Sequence, residues 1–251
     1  MEETMNSQLV AYTRLSPNHS GKRKYPVTRI TPHCTAGRCT IEALGDLFSR
    51  HSRMASSNYG IDENGRVGLF VPEEYRSWCS SNADNDNRAI TVECSSGNTH
   101  PYEMNGVVYS RLIDLCADIC RRYGKKRLIW IPDKTAALAY APASDEMLLT
   151  VHRWFALKAC PGDWLYARLG ELAEAVTAKL GGTLTEPKTY RVKVSIPDLH
   201  IRTKPNSRSK SKGYTGRGVF TIVDESSGWG LLRSYEKNRD GWIRLSHTTR
   251  V

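Results

Sequence analysis

The chain has 251 residues, 39% of them hydrophobic and 25% charged, a composition typical of a folded globular protein and not of a disordered chain. No apolar run approaches the roughly 18–20 residues that a membrane-spanning helix needs. The first residues, MEETMNSQLVAYTRL, lack the basic start, apolar middle and cleavage site of a secretory signal peptide, so we expect synthesis in a cytoplasm without a signal peptide.

The net charge of +10 is concentrated in the last quarter of the chain. Residues 187–251 contain 14 Lys and Arg residues against 5 Asp and Glu residues, whereas the remainder is nearly neutral, with 22 against 21. A charge asymmetry of this kind indicates an anionic partner for the C-terminal segment.

The first 180 residues alternate between strand and helix patterns. Thr40, Ser144 and Asp163 are N-cap signals, Gly124 is a helix stop, and Glu63-Asn64-Gly65 is a hairpin turn. In chain order the predicted strands cover residues 27–33, 57–62, 66–71, 88–94 and 127–131, and the predicted helices cover 41–51, 106–123, 145–156 and 164–180. The alternation predicts an α/β fold with a mixed central β-sheet flanked by helices.

The pattern changes after Gly182. Residues 183–189 are typical of a short linker, and residues 190–251 have no helical period. They contain short strand-like runs separated by Gly, Asn, Asp and Ser, namely YRVKVS, LHIRT, FTIVDES, WGLLRS and GWIRLS. About 60 residues of this pattern predict a small all-β barrel. We therefore expect a first domain over 1–182, a linker over 183–189 and a second domain over 190–251.

Three residues are candidate metal ligands. His33 ends a predicted strand, His152 lies on a predicted helix, and Cys160 lies in the loop after that helix. Two imidazoles and one thiolate leave a fourth tetrahedral position, as in catalytic zinc sites, where the pKa of a bound water falls toward ~7. The spacing alone does not distinguish such a site from ordinary core or surface residues. Cys34 is expected to point to the opposite face of the strand from His33.

Five segments carry a resemblance to a known family. They are TPHCTAG, SSNYGID, RSWCSSN, AITVECS and VHRWFALKACPGDWLY. In order and spacing they resemble the type 2 N-acetylmuramoyl-L-alanine amidases, which include phage lysozyme-type amidases and relatives of the peptidoglycan recognition proteins. The resemblance covers about residues 10–180, and its most specific part runs from His152 to Cys160 and the following Pro161-Gly162. It implies zinc-dependent hydrolysis of the amide bond between N-acetylmuramic acid and L-alanine in bacterial peptidoglycan.

The resemblance also implies the metal ligands and one catalytic residue. His33, His152 and Cys160 match the zinc ligands of the family. Lys158, two residues before the third ligand, matches the family's catalytic lysine. A fixed cation close to the metal is expected to stabilise the oxyanion that forms when the amide is attacked.

Proton transfer is implied for one of two further residues. Tyr59 matches a tyrosine on the strand after the family's first helix, and Glu93 matches a glutamate that other members carry in a sheet strand. Thr91 stands where members often have glycine, two residues before Glu93. Either group would orient or deprotonate water and then protonate the leaving nitrogen. Trp78 is expected to line the substrate groove or to cap the core.

Residues 190–251 resemble the bacterial SH3-type domains attached to wall hydrolases, on the pieces LHIRTKPNS, FTIVDESSGWGLL and GWIRLS. Such a domain would bind anionic wall polymers, and the aromatic residues Tyr214, Trp229, Tyr235 and Trp242 would either stack on wall sugars or stem peptides or form the core. The combination implies a phage or prophage endolysin, made in the host cytoplasm and acting on the cell wall after release.

Three alternatives stay open. A non-catalytic peptidoglycan-binding protein is disfavoured by Cys160, because binding-only relatives usually lack that ligand. A wall peptidase that cuts another amide of the stem peptide needs the same chemical groups. A nucleic-acid binder would explain the basic C-terminal segment but would leave His152 and Cys160 without a role, so we expect no nucleic-acid partner.

Overall fold

The computed structural model describes residues 6–181, 190–226, 228–232 and 241–251. The chain divides into two compact units, Met1–Leu184 and Thr185–Val251. The linker expected over 183–189 and the aromatic Tyr235 lie outside the described residues. Within the described ranges, no helix has both the length and the apolar composition needed to cross a bilayer.

The first unit contains a mixed sheet and six helices in its described part. Its strands are β1 (Val10–Thr13), β2 (His19–Lys22), β3 (Arg29–Cys34), β4 (Tyr59–Ile61), β5 (Val67–Leu69), β6 (Tyr75–Ser77), β7 (Ala89–Cys94), β8 (Arg127–Ile129) and β9 (Glu146–Leu149). Its helices are α1 (Ile41–Phe48), α2 (Ala83–Arg88), α3 (Gly106–Arg122), α4 (Lys134–Ala139), α5 (Asp163–Tyr166) and α6 (Leu169–Lys179). Short 3-10 turns span His51–Arg53 and His152–Trp154.

Seven strands form the central sheet in the order β1-β5-β4-β7-β3-β9-β8, and β2 pairs with β6 separately. Strand β3 is parallel to both of its neighbours, β7 and β9, whereas β4 and β5 form the antiparallel hairpin expected from Glu63-Asn64-Gly65. The mixed α/β architecture predicted from the alternation of patterns is therefore confirmed.

Helices α1 to α4 begin where a side chain accepts a hydrogen bond from a free N–H group of the first turn. Thr40 accepts from the Ala43 N–H at the start of α1, and Asn105 accepts from the Val108 N–H at the start of α3. One face of α3 buries Val108, Leu112, Leu115 and Ile119 in the main hydrophobic core, at the three- and four-residue spacing of one helix face. Helix α1 packs in a separate cluster with Phe70, so the two helices cover opposite faces of the β4–β5 hairpin.

The prediction of a helix over residues 145–156 is wrong. Residues Glu146–Leu149 form strand β9 between β3 and β8, all four are buried, and His152 lies in the 3-10 turn that follows. A short continuous apolar run is equally compatible with a helix and with a buried parallel strand. Here the segment is a strand because it pairs with β3 and β8 in the sheet. The helix predicted over 164–180 is divided into α5 and α6, and Gly162 rather than Asp163 precedes its first turn.

The second unit is all-β in its described part. Its strands are β10 (Tyr190–Val194), β11 (His200–Arg202), β12 (Ser211–Tyr214), β13 (Gly218–Ser226), β14 (Trp229–Leu232), β15 (Gly241–Arg244) and β16 (Thr248–Arg250), with a 3-10 turn at Leu245–His247. They pair antiparallel in the order β12-β11-β15-β14-β13-β10-β16. The core contains Val192, Ile201, Ile222 and Ile243. Strands β12 and β16 were not predicted, because their sequences are polar and largely exposed.

Candidate functional site

The candidate site lies where three neighbouring strands of the first unit end. His33 is near the end of β3, Glu93 is near the end of β7, and His152 follows the end of β9. His33 and Glu93 are direct cross-strand partners. Because β3, β7 and β9 are parallel, their carboxyl ends meet at one edge of the sheet, which brings together residues far apart in the chain.

The three predicted metal ligands converge at this edge. The ligand atoms of His33, His152 and Cys160 all lie within 4.8 Å of one another. The Cys160 Sγ is 3.2 Å from the His33 Nδ1, and the two imidazole centroids are 5.1 Å apart. A tetrahedral zinc with ordinary bond lengths separates a sulfur and a nitrogen ligand by about 3.6 Å.

Burial favours the neutral form of the two histidines, which is the form that binds a metal ion. His33 is 1% exposed, and its Nε2 has no hydrogen-bond partner among the described residues. Burial, and then the neighbouring His152, hold the pKa of His33 well below its usual value, and burial followed by Lys158 lowers the pKa of His152. Both imidazoles are therefore neutral, which is the form that binds a metal. The donor set and its geometry fit a zinc ion.

Cys34 lies at the same site, contrary to the expectation that it faces away. The neighbouring thiol of Cys160 lowers the pKa of Cys34, and the same interaction, together with burial, raises the pKa of Cys160. Cys34 also lines the same cavity as His33. Neighbouring side chains point to opposite faces within a strand. Cys34, however, is the last residue of β3, and Cys160 approaches this end of the strand from a separate loop.

Glu93 is the carboxylate nearest to the ligands. Its Oε1 is 4.0 Å from the His33 Nδ1 and 3.8 Å from the Cys79 Sγ, and its Oε2 has no hydrogen-bond partner among the described residues. Burial, followed by the nearby Cys34, raises the pKa of Glu93 to about 8. A buried carboxylate with so few partners is costly for folding and typical of a functional group.

A cavity of about 730 Å³ opens onto this cluster. Besides the ligands and Glu93 it is lined by Lys158 and by Trp78, whose indole N–H donates to the Ser20 hydroxyl. Lys158 is exposed on the cavity wall, beside His152. The interpretation of Trp78 as a residue of the groove is thus consistent with its position.

Tyr59 is not brought to this cavity. It pairs with Val92 rather than with Glu93, so its side chain points to the face of the sheet covered by α3. It is fully buried there, where its hydroxyl donates to Glu73 at 2.5 Å and accepts from the Ser7 N–H. This position does not agree with the catalytic role that the resemblance implies for Tyr59. Successive residues of a strand face opposite sides of the sheet, and Gly60, not Tyr59, is the residue of β4 that pairs with Glu93.

Sequence reasoning missed Ser81, whose hydroxyl lies 3.0 Å from the His152 Nε2. A hydrogen bond to the second ring nitrogen fixes the orientation of a metal-binding imidazole. It also missed Arg153, whose backbone N–H donates to the Cys160 carbonyl and whose guanidinium donates to Ala159 and pairs with Asp163 at 2.8 Å. These contacts hold the loop that carries Cys160. Both residues lie in the segments RSWCSSN and VHRWFALKACPGDWLY, but no spacing rule identified them.

Comparison with known protein families identifies the family of the chain. A family model described as N-acetylmuramoyl-L-alanine amidase matches residues 23–163, more than half of the chain. The protein therefore belongs to the N-acetylmuramoyl-L-alanine amidase family. No curated protein sequence gives a significant match.

Several solved structures are similar to the chain. A structure of PlyL is 14% identical, covering 68% of this chain and 96% of its own, with a TM-score of 0.44. A selenomethionine derivative of AmpD is 16% identical, covering 69% and 99%, with a TM-score of 0.47. The N-acetylmuramoyl-L-alanine amidase LysC from Clostridium intestinale URNW is 15% identical, covering 67% and 97%, with a TM-score of 0.43.

Proposed function

We propose that this protein hydrolyses the amide bond between N-acetylmuramic acid and L-alanine in bacterial peptidoglycan, with a zinc ion held by His33, His152 and Cys160. The observation that carries the proposal is the convergence of the three ligand atoms within 4.8 Å, at a cavity that also contains Glu93. Membership of the amidase family supports the same reaction.

The chain supplies the groups that amide hydrolysis needs. A zinc ion supplies a Lewis acid for the substrate carbonyl and lowers the pKa of water. In its ionised form Glu93, with an unpaired oxygen beside the ligands, accepts a proton from the attacking water and then donates it to the leaving nitrogen. Lys158, on the cavity wall, stabilises the negative charge that develops on the carbonyl oxygen. Ser81 orients His152.

The test is a digestion of purified peptidoglycan followed by mass spectrometry. Free lactyl carboxyl groups on muramic acid together with new L-alanine amines are the expected products. New ends within the stem peptide would instead identify a wall peptidase, and tight wall binding without cleavage would identify a binding protein. Full activity after proven metal removal would contradict the zinc mechanism.

Cys160→Ser tests the ligand assignment directly. It should lose most of the zinc measured by elemental analysis and most of the activity, because a hydroxyl is a poorer zinc ligand than a thiolate. Cys39→Ser is the matched control, since Cys39 is also half-buried but does not line the cavity. Equal zinc content in the two variants would remove Cys160 from the ligand set.

We further propose that the second unit, over residues 190–251, is an SH3-type domain that binds anionic wall polymers. Its basic excess and its small antiparallel architecture support this role. Tethering the amidase to the wall raises the effective substrate concentration. A chain of residues 1–184 should therefore cleave soluble fragments but sediment less with whole walls at low salt than the full chain. Equal sedimentation would contradict an anchor.

This combination favours a phage or prophage endolysin, made in the host cytoplasm and active on the wall after release. The amidase domain, expected over residues 1–182, would carry the chemistry, and residues 183–189 would link it to the anchor. Competition by double-stranded DNA at physiological salt tests the nucleic-acid alternative, in which DNA and not wall polymer would saturate the basic segment.

A further inference from the structure

Cys79 is a metal-binding side chain at the cavity that the proposed chemistry does not use. It follows strand β6, is half-buried and lines the cavity. Its Sγ lies 3.8 Å from the Glu93 Oε1. Its backbone is fixed, because the Cys79 N–H donates to the Asp86 carboxylate at 3.2 Å. The fold therefore holds this thiol beside Glu93.

Cys79 and Glu93 form, together with His33, a second cluster of metal-binding atoms. The ligand atoms of these three residues all lie within 4.8 Å of one another, as do those of the first cluster, His33, His152 and Cys160. A zinc ion with ordinary bond lengths separates a sulfur and an oxygen ligand by about 3.5 Å, which is close to the distance between Cys79 and Glu93. The two clusters share His33, so ions bound at both would be neighbours.

Two buried atoms of the second cluster have no partner. The Glu93 Oε2 and the His33 Nε2 make no hydrogen bond among the described residues, and His33 is 1% exposed. A buried polar atom without a partner is costly and indicates a missing group. A thiolate and a carboxylate as close as those of Cys79 and Glu93 also repel each other, and a divalent cation between them removes this repulsion.

The surroundings of the second cluster predict weaker binding than at the first. Asp86 offers no free oxygen, because its carboxylate accepts hydrogen bonds from the Ser80 hydroxyl and from the N–H groups of Cys79 and Ser80. Three cationic side chains line the same cavity and repel a second cation, namely Arg53, Arg76 and Lys158. A second ion is therefore expected only when the metal is in excess of one ion per chain.

We propose that Cys79 and Glu93 bind a second divalent metal ion of the zinc type, next to the first, and that this ion inhibits the enzyme. The Cys79 thiol releases its proton to solvent when the ion binds. A thiolate ligand selects zinc-like ions over magnesium and calcium. A carboxylate oxygen that binds a metal ion cannot accept a proton from the attacking water, so turnover stops. The inhibition rests on the proposed function, whereas the binding of the ion does not.

The experiment starts from protein that holds one zinc ion per chain. Dialysis against increasing free zinc, followed by elemental analysis, should reveal a second ion, and turnover should fall in parallel, by up to the about 10²–10⁴-fold that a general base contributes. A chelator that removes only the second ion should restore turnover. Cobalt gives an independent reading, because a thiolate bound to cobalt absorbs light whereas zinc, with its filled d shell, is silent. The second equivalent of cobalt should increase this thiolate band.

Cys79→Ser is the decisive variant. A hydroxyl is a poorer ligand for zinc than a thiolate, so the second ion should bind at least about tenfold more weakly, the lower limit of what loss of a partner beyond the ligands costs. The first ion should be retained, and the second increase of the cobalt band should disappear. Cys79→Ala removes the side-chain ligand entirely and should give the same result. Inhibition is measured within each variant as the ratio of turnover at low and high zinc.

Cys34→Ser is the matched control. Cys34 lines the same cavity but belongs to neither cluster. This variant should keep the second ion, the second increase of the cobalt band and the inhibition by excess zinc. One ion per chain at every zinc concentration, or a second ion with unchanged affinity in Cys79→Ser, would overturn the proposal.

Metal content does not depend on turnover, so the two proposals fail separately. A second ion that depends on Cys79, in a protein that cleaves no peptidoglycan, would contradict the amidase proposal and leave the metal site intact. An amidase whose turnover is unaffected by excess zinc, or is inhibited equally in Cys79→Ser, would confirm the amidase and overturn the inhibitory ion.

Discussion

The two faces of the central sheet bury charged groups in opposite ways. On the face covered by α3, the Glu73 carboxylate accepts two parallel bonds from Arg122, at 2.6 and 2.8 Å, and one from Tyr59. At the cavity, the Glu93 Oε2 and the His33 Nε2 have no partner among the described residues. Since an unpaired buried polar atom costs about 1–3 kcal/mol, the first cluster is built for stability and the second is kept incomplete for a ligand.

Of the three substitutions that test this difference, Glu93→Gln should have the largest effect, and the quantity that changes is kcat. We expect kcat to fall by about 10²–10⁴-fold, because the proton acceptor is removed, while zinc content stays unchanged. The melting temperature should be no lower than that of the parent, because the substitution replaces a largely buried carboxyl group with few partners by an amide of nearly the same shape. Calorimetry measures the melting temperature, elemental analysis measures the zinc content, and a turnover assay measures kcat. A large loss of stability would mean that Glu93 is a structural carboxylate like Glu73.

Glu73→Gln should do the reverse. Removing the charge of Glu73 breaks a buried ion pair and leaves Arg122 without its bidentate carboxylate partner, although Asp118 still pairs with its Nε. Breaking a buried pair in this way costs about 3–5 kcal/mol. Urea unfolding gives the change in stability, and the kcat of the folded protein should stay close to the parent value. Glu42→Gln is the control, because its ion pair with Arg66 is exposed and should contribute little. A selective loss of kcat with parental stability would place Glu73 in the catalytic machinery.

Tyr59→Phe should have the smallest effect. It removes two hydrogen bonds, one to Glu73 and one from the Ser7 N–H, each worth about 1 kcal/mol, and it fills nearly the same volume. Because the hydroxyl lies on the α3 face, kcat and KM are expected to remain at parental values in a standard turnover assay. A hundredfold lower kcat at unchanged stability would restore the catalytic role that the family resemblance implies for this tyrosine.

The candidate site was predicted mainly through the family resemblance. The histidine at a strand end and the His-to-Cys segment followed by Pro161-Gly162 match the family's ligands, whereas their spacing alone did not identify them. Glu93 was selected by the same resemblance, supported by its position in an otherwise apolar strand. Cys34 and Ser81 were not selected, because only the tertiary structure brings them to the cavity that the ligands line.

Local signals determined the caps of α1 and α3, the β4–β5 hairpin and the change to an all-β pattern after Gly182, because these depend on residues within a few positions of one another. Only the tertiary structure decided that Glu146–Leu149 is a strand, that Tyr59 faces α3 and that Cys34 reaches Cys160. Each of these depends on which strands are neighbours and in which register. Some of those pairings, such as that of Arg29 with Leu148, join residues more than a hundred positions apart, so no short window of sequence contains them.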